Sequence, residues 1–200
     1  MQPAEPTDLI YNLPSIVEQI ELPALFPISQ PLEVELGCGD SSFLVEYAGQ
    51  HTDRNFLGVE RLLGRLRKLD RKGRRAGLTN VRGIRIESAY LLEYLLPPGL
   101  ASALHVYFPD PWPKKKHRKH RLINERFPQL ARTALGPGGT VYLRTDDEDY
   151  FEQMTAVFGV DAGFVRVETP AELAGLPTDF EREFGARGIR TLRAAYQAAA

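Results

Sequence analysis

The sequence has a single cysteine, Cys38, so no internal disulfide can form, and its four histidines have no cysteine-rich neighbourhood. A stapled secreted scaffold and a structural zinc site are therefore disfavoured, no metal is expected, and a reducing, cytoplasmic compartment fits best. No run of about 18 apolar residues occurs, the length a spanning helix needs. Residues 1–31 carry acids and prolines in place of the basic and apolar segments of an export leader. Neither export nor membrane insertion is expected. Internal repeats are missing too, and no Pro/Gly linker is long enough to divide the chain. What remains is 200 residues, 43% hydrophobic and 26% charged. These are ordinary globular values, enough for one α/β domain over residues 32–200 and an arm, residues 1–31, packed on it or trailing from it.

Charge of one sign is scarce in the first two of three segments of the chain. Residues 1–60 hold one Lys or Arg against ten acids, 61–121 hold sixteen against four, and 122–200 hold eight against twelve. The formal net charge of -1 thus conceals a strongly basic middle, able to present a positive patch to a polyanion while the whole stays soluble. Nucleic acid is the leading partner.

Short apolar segments alternate with helical patterns, as in a largely parallel sheet with crossover helices. Strands are expected at 32–36, 55–60, 81–86, 103–108, 140–144, 164–168 and 189–195, seven in all. Helices are expected at 42–48, 62–76, 89–96, 122–135 and 148–158, with a short one near Phe180. The helix over 62–76 has Leu62, Leu63, Leu66 and Leu69 at helical spacing and seven Lys or Arg around the remainder. It has one apolar and one basic face. Gly136-Pro137-Gly138-Gly139 is expected to stop a helix and turn the chain into the fifth strand.

Glu35-Leu36-Gly37-Cys38-Gly39 places an acid and two glycines between a strand and a helix. Glycines there let the backbone turn sharply and approach a ligand in the crevice beyond the strand ends. Ser42 stands where a dinucleotide fingerprint needs a third glycine, which disfavours a nicotinamide cofactor. Glu60 ends the second strand 21 residues after Gly39, where a carboxylate can accept from both hydroxyls of a ribose. A negative charge at Glu35 suits a ligand with positive charge, such as the ammonium or sulfonium of S-adenosylmethionine. Both acids can also be read as solvated strand ends, and Cys38 as a small packing residue.

Past the fourth strand, Phe108-Pro109-Asp110-Pro111-Trp112-Pro113 holds one carboxylate between two prolines, each of which fixes φ and removes a donor. A Pro-Asp-Pro turn with Trp112 as a packing residue is the plainer reading. The loop runs into Lys114-Lys115-Lys116-His117-Arg118-Lys119-His120-Arg121, six cations and two histidines without an acid. Such a run is often a solvated surface, but here it adjoins a stiff loop at the ligand end of a sheet, where a phosphate backbone would be gripped. His117 and His120 lack the neighbouring thiolates or carboxylates of a metal site.

These segments, with Gly58-Val59-Glu60-Arg61, His117-x-Lys119, Thr145-Asp146 and Thr178-x-Phe180-Glu181, resemble the bacterial tRNA (guanine-N7)-methyltransferase family from about Pro31 onward and in the family's order. The Pro-Asp-Pro-Trp loop with its basic continuation is the specific element. The resemblance implies a Rossmann-like class I methyltransferase fold, a seven-stranded, mostly parallel sheet with helices on both faces, and S-adenosylmethionine as cofactor. Glu35, Gly37, Gly39, Glu60, Ser88 and Asp110 would contact that cofactor, Asp110 being also the catalytic residue. Lys114, Asp146, Thr178, Phe180 and Glu181 would contact the substrate nucleotide. Lys116, His117, Arg118, Lys119, His120 and Arg121 would contact the tRNA. The sequence departs from the pattern at Ser41, where many members have a third glycine, and at Ser88, where an acid is usual. His120 replaces an arginine.

Guanine N7 keeps a free lone pair outside Watson-Crick pairing, so its methylation needs no general base. Glu181 would suit the guanine N1 and N2 donors, although Thr178-x-x-Glu181 is equally a helix capping box, and Asp146 can be read as one of the acids at a helix N-terminus. Two rival readings remain: an exocyclic-amino methyltransferase of the same fold, and an RNA-binding domain without catalysis. Either a monomer or a homodimer fits.

Overall fold

The computed structural model describes residues 8–199, so residues 1–7 of the expected arm lie outside it. Strands β1 (Ile10–Tyr11), β2 (Leu32–Leu36), β3 (Asn55–Glu60), β4 (Val81–Arg85), β5 (Ala101–Tyr107), β6 (Leu135–Thr145), β7 (Phe164–Val167) and β8 (Leu192–Ala198) form one sheet. Their order is β1-β4-β3-β2-β5-β6-β8-β7. β8 runs antiparallel between β6 and β7, and the pairs from β1 to β6 are parallel.

Eight strands stand where seven were expected, and the extra one comes from the arm. Two residues are too few to show a period, and β1 exists because tertiary bonds hold it. Leu9 is 2% exposed, its N–H donates to Asp70 Oδ1 at 2.9 Å, and its carbonyl accepts from Gly83 at 2.8 Å.

The helices are α1 (Leu22–Leu25), α2 (Ser42–Gln50), α3 (Leu63–Arg75), α4 (Ser88–Tyr90), α5 (Phe127–Ala134), α6 (Glu148–Gly159), α7 (Ala171–Gly175) and α8 (Asp179–Ala186). One apolar layer, on the side of α5 and α6, packs Phe127, Ala131, Tyr150, Met154 and Phe158 on Val34, Leu104 and Val141. The other, on the side of α2 and α3, joins Phe43, Leu44, Tyr47, Leu66 and Leu69 to Phe56 and Tyr107. α2 and α3 close tightly over β3 because Gly58 lies beneath them. A Cβ there would sit 2.8 Å from both Leu44 and Leu69 side chains, far inside van der Waals contact.

Several boundaries differ from the sequence expectation, the last strand lying at Leu192–Ala198 where 189–195 was expected, and three differences bear on the fold. α5 starts at Phe127, because the chain from Arg121 first makes a turn in which Asn124 Oδ1 accepts from Arg126 N at 3.0 Å. Ser88–Tyr90 continues into a π-helical turn over Leu91–Leu95, a distortion common near functional sites. The Gly-Pro-Gly-Gly segment belongs to β6, where it absorbs a register shift against β5 between Ala101 and Ala103.

Candidate active site

β2 and β5 are neighbours, yet their following connections lead to opposite halves of the sheet. This is the switch point at which open α/β sheets bind ligands beyond the carboxyl ends of the strands. Leu-Glu-Val-Glu-Leu in β2 is buried throughout, which forces two carboxylates into the interior on one face. Glu33 is neutralised there: Arg54 donates to Oε1 and His105 Nε2 meets Oε2, each at 2.7 Å. Burial opposes ionisation of Glu33, but these partners outweigh it and hold the carboxyl below its ordinary value.

Glu35 lacks that provision. It is 4% exposed, and its Oε2 is buried with no hydrogen-bond partner among the described residues. Burial, with Glu60 adding and Arg144 opposing, pushes the carboxyl well above the ordinary range. An unpaired buried carboxylate is costly, and this one borders a cavity formed with Gly37, Gly39, Ser41, Phe108 and Phe180.

The turn after β2 needs its glycines. Gly37 has φ 84° and Gly39 φ 51°, and on Gly37 a Cβ would meet nothing within 4 Å, so backbone conformation rather than crowding selects glycine. Gly37 and Cys38 both donate to the Val59 carbonyl at 2.9 Å, and Lys68 and Lys72 of α3 clamp Asp40 by its carboxylate and carbonyl. Cys38 is 4% exposed and burial, then Glu35, raises its thiol strongly, leaving it a packing residue. At the end of β3, Glu60 Oε1 accepts from Leu62 N at 2.9 Å, while Oε2 faces Arg65 at 3.6 Å.

A second cavity of about 500 Å³ adjoins the first, bordered by Glu60, Ser88, Asp110, Trp112 and His120. Gly37, Arg65, Tyr107 and Phe108 border both. Glu87, just before Ser88, also borders the second cavity, and its carboxylate caps α4 through the N–H groups of Ala89 and Tyr90. The loop over this cavity is strained: Phe108 has φ 50° and Trp112 φ 44°, and with Ser41 at 59° they are the only non-glycine residues of positive φ among those described. Bulky side chains rarely tolerate that region, and such outliers cluster at functional sites. Phe108 N donates to the Arg144 carbonyl at 2.8 Å, and Arg121 Nε donates to the Pro111 carbonyl at 2.7 Å. Asp110 is exposed on this braced loop, and no described residue pairs with its carboxylate.

Two residues expected to make contacts are engaged within the protein. Arg121 is 1% exposed and spends its guanidinium on Pro111, Gln153 and Asp149, so it braces the loop. Arg118 is also paired, with Asp149 at 2.6 Å. Lys114, Lys115, Lys116 and Lys119 remain exposed and without an ion pair among the described residues, while His117 and His120 flank the Trp112 ring at 5.8 and 5.2 Å. Glu181 is the second. It completes the capping box with Thr178, and its two oxygens are taken by Arg144 and Thr178 N, each at 2.8 Å, and by Arg193 at 2.5 Å. Burial opposes its charge, but these bonds hold the carboxyl below its ordinary value. With both oxygens engaged, Glu181 anchors the 176–181 segment.

Phe180 is 46% exposed and stands 5.6 Å from Phe108, ring to ring. Thr178 and Phe180 border the first cavity; Lys114 and Asp146 border neither, although Asp146 lies on the turn after β6 and is exposed. Three contributors escaped the sequence reading: Arg65, Tyr107 and Arg144. An arginine inside the apolar run of β6 was a usable signal, since such a residue needs a buried acid. Among the described residues no three His, Cys, Asp or Glu converge at metal-binding distance, and no helix is long and apolar enough to cross a membrane.

The parallel sheet with its antiparallel β8, the glycine turn and the acid at the end of β3 define a methyltransferase of the Rossmann-like type. A family model described as a putative methyltransferase matches residues 29–198. The chain is 36% identical over 178 residues to a tRNA (guanine-N(7)-)-methyltransferase of Syntrophotalea carbinolica, covering 87% of this chain and 77% of that one. To a protein of the same name from Rubrobacter xylanophilus it is 33% identical over 188 residues, covering 94% and 84%. The chain belongs to the tRNA (guanine-N7)-methyltransferase family. Among solved structures, the 16S rRNA methyltransferase KamB superposes with a TM-score of 0.63 at 17% identity, covering 90% of this chain and 93% of that one, a likeness of fold.

Proposed function

We propose that this protein transfers a methyl group from S-adenosylmethionine to N7 of a guanosine in the variable loop of tRNA, conventionally position 46, and that it does so as a soluble cytoplasmic enzyme. The observation that carries this reading is the buried carboxylate of Glu35 beside the glycine turn, one oxygen of which has no partner among the described residues. The donor set fits the cofactor: a cationic ligand supplies the missing partner of Glu35, Gly37 and Gly39 leave room for close approach, and Glu60 Oε2, held only by a 3.6 Å ion pair with Arg65, can accept from ribose hydroxyls. When bound, S-adenosylmethionine supplies an electrophilic methyl group on a sulfonium centre.

The residues of the chain do the rest by binding and orienting. Phe108 and Phe180 offer faces on which a base can stack, while Lys114, Lys115, Lys116 and Lys119 meet phosphate. Guanine N7 needs no proton removed, which agrees with a site built on carboxylates and strained backbone. Methylation leaves the ring positively charged. The unpaired Asp110, held by Pro109, Pro111 and the Arg121 brace, stabilises that charge, and fixed orientation of two reactants is worth about 7–11 kcal/mol of barrier. Incubation with labelled donor and unmodified tRNA tests the reading. Label should enter a nucleoside that borohydride and aniline cleave, whereas label in an aniline-stable base indicates exocyclic-amino chemistry and no incorporation indicates RNA binding alone.

A further inference from the structure

Part of the basic face of α3 is not used by the site described above. This helix carries seven Lys or Arg and one acid, Asp70, and Asp70 is turned toward Leu9 and Arg74. Lys68 and Lys72 hold the glycine turn. Arg67, Arg71 and Arg75, by contrast, are exposed and make no ion pair or side-chain hydrogen bond among the described residues. They follow one another at i, i+4 and i+8, opposite the buried Leu66, Leu69 and Gly73, and span about 12 Å of helix.

Like charges four residues apart destabilise a helix, and a merely solvated face is served as well by mixed signs or by glutamine. Three stacked arginines without an acid form a surface that lacks its counter-charge. Its position indicates where that charge comes from. At the N-terminal end of α3, Arg65 borders both cavities, and Arg61, Arg65 and Arg85 share a further groove with Asp110 and Trp112. Arg67, Arg71 and Arg75 border none of these cavities, but they lie on the helix whose first turn reaches the mouth, so a polyanion long enough to leave the site can run along α3 while the exposed lysines after Trp112 meet it at the mouth.

We infer that Arg67, Arg71 and Arg75 form a second phosphate-binding track for tRNA, on the helix that leads away from the mouth of the site, engaging backbone away from the methylated nucleotide. The inference rests on the tRNA reading above. Its test is the triple variant Arg67→Gln, Arg71→Gln, Arg75→Gln, in which a good helix former replaces each arginine, beside a triple Arg→Lys variant that keeps the charge. tRNA affinity is measured against salt concentration, with steady-state kinetics and cofactor affinity on the same preparations. Each phosphate contact contributes about 0.7–0.9 to the log-log salt slope. The glutamine variant should flatten that slope by about two to three and raise KM for tRNA roughly tenfold at low salt, with kcat and cofactor affinity unchanged. The lysine variant should keep the original slope. A glutamine variant with unaltered slope and KM overturns the inference, as does a lysine variant that loses as much as the glutamine one. If the unmodified protein methylates tRNA while either result is found, only the track is wrong; if it does not methylate tRNA, the functional reading falls and the track with it.

Discussion

Replacing Glu35 by glutamine should move stability and cofactor affinity in opposite directions. In the free protein the Glu35 carboxyl is held well above its ordinary 4.5 by burial and by Glu60, and one oxygen has no partner. The folded state therefore binds more protons than the unfolded state between pH 4.5 and the raised value. Linkage makes the contribution of this group most favourable below about 4.5, and it is lost as pH rises through the folded value. Glu35→Gln removes that loss, so its stability advantage should grow with pH. Relieving a buried, unpaired charge is worth about 1–3 kcal/mol, and each kcal/mol raises Tm by about 2–4 °C in a chain of this size.

Binding responds the other way. Removing one partner of a buried charge pair costs about 2–5 kcal/mol, or roughly 30- to 4,000-fold in affinity. Calorimetry with S-adenosylhomocysteine, which keeps the ammonium group, reads this directly. The unmodified protein should bind more tightly as pH rises and release a proton on binding; Glu35→Gln should bind weakly at every pH and release none. A variant that melts lower than the parent at pH 8, or keeps parental affinity, refutes the argument.

Asp110→Asn should lower kcat by about 10²–10³ through lost charge stabilisation, with Tm nearly unchanged because the side chain is exposed and unpaired, checked by single-turnover kinetics and a melting curve. Glu181→Ala should leave Arg144 buried without its acid and cost about 3–5 kcal/mol of stability, read by denaturant titration, with activity falling because α8 loses its anchor. Glu181 has a lowered carboxyl value, so its stabilising effect is present above about 4.5 and fades as pH falls through the lower folded value; the stability gap between parent and variant should close in acid. Phe180→Ala should weaken tRNA binding by about 1–3 kcal/mol if the ring stacks a base, seen in KM for tRNA more than in cofactor affinity.

The parts of this account that were legible in the sequence are local. A glycine turn after a strand, a proline-braced aspartate and an acid 21 residues beyond Gly39 each have their physical meaning within a few residues. The remainder depends on partners distant in the chain. Alternation puts Glu33 and Glu35 of Leu-Glu-Val-Glu-Leu on one face, and although Glu35 stands nearer the glycine turn, the sequence does not show which of the two is neutralised. Arg54 and His105 satisfy one and leave the other bare. Arg121 looked like the end of a phosphate-binding run because its brace, Asp149, is 28 residues away. Thr178-x-x-Glu181 shows the cap in sequence, but not Arg144 and Arg193, which engage the two oxygens from far along the chain. β1 has no period to detect, and only its pairing with β4 makes it a strand.

Methyl transfer to two matched tRNA transcripts, one made with guanosine and one with 7-deazaguanosine, tests the central claim most directly. The proposed chemistry predicts label in the guanosine transcript, recovered as 7-methylguanosine, and none in the other, whose pairing edge is intact but whose N7 is a carbon. Equal labelling of both transcripts would contradict it.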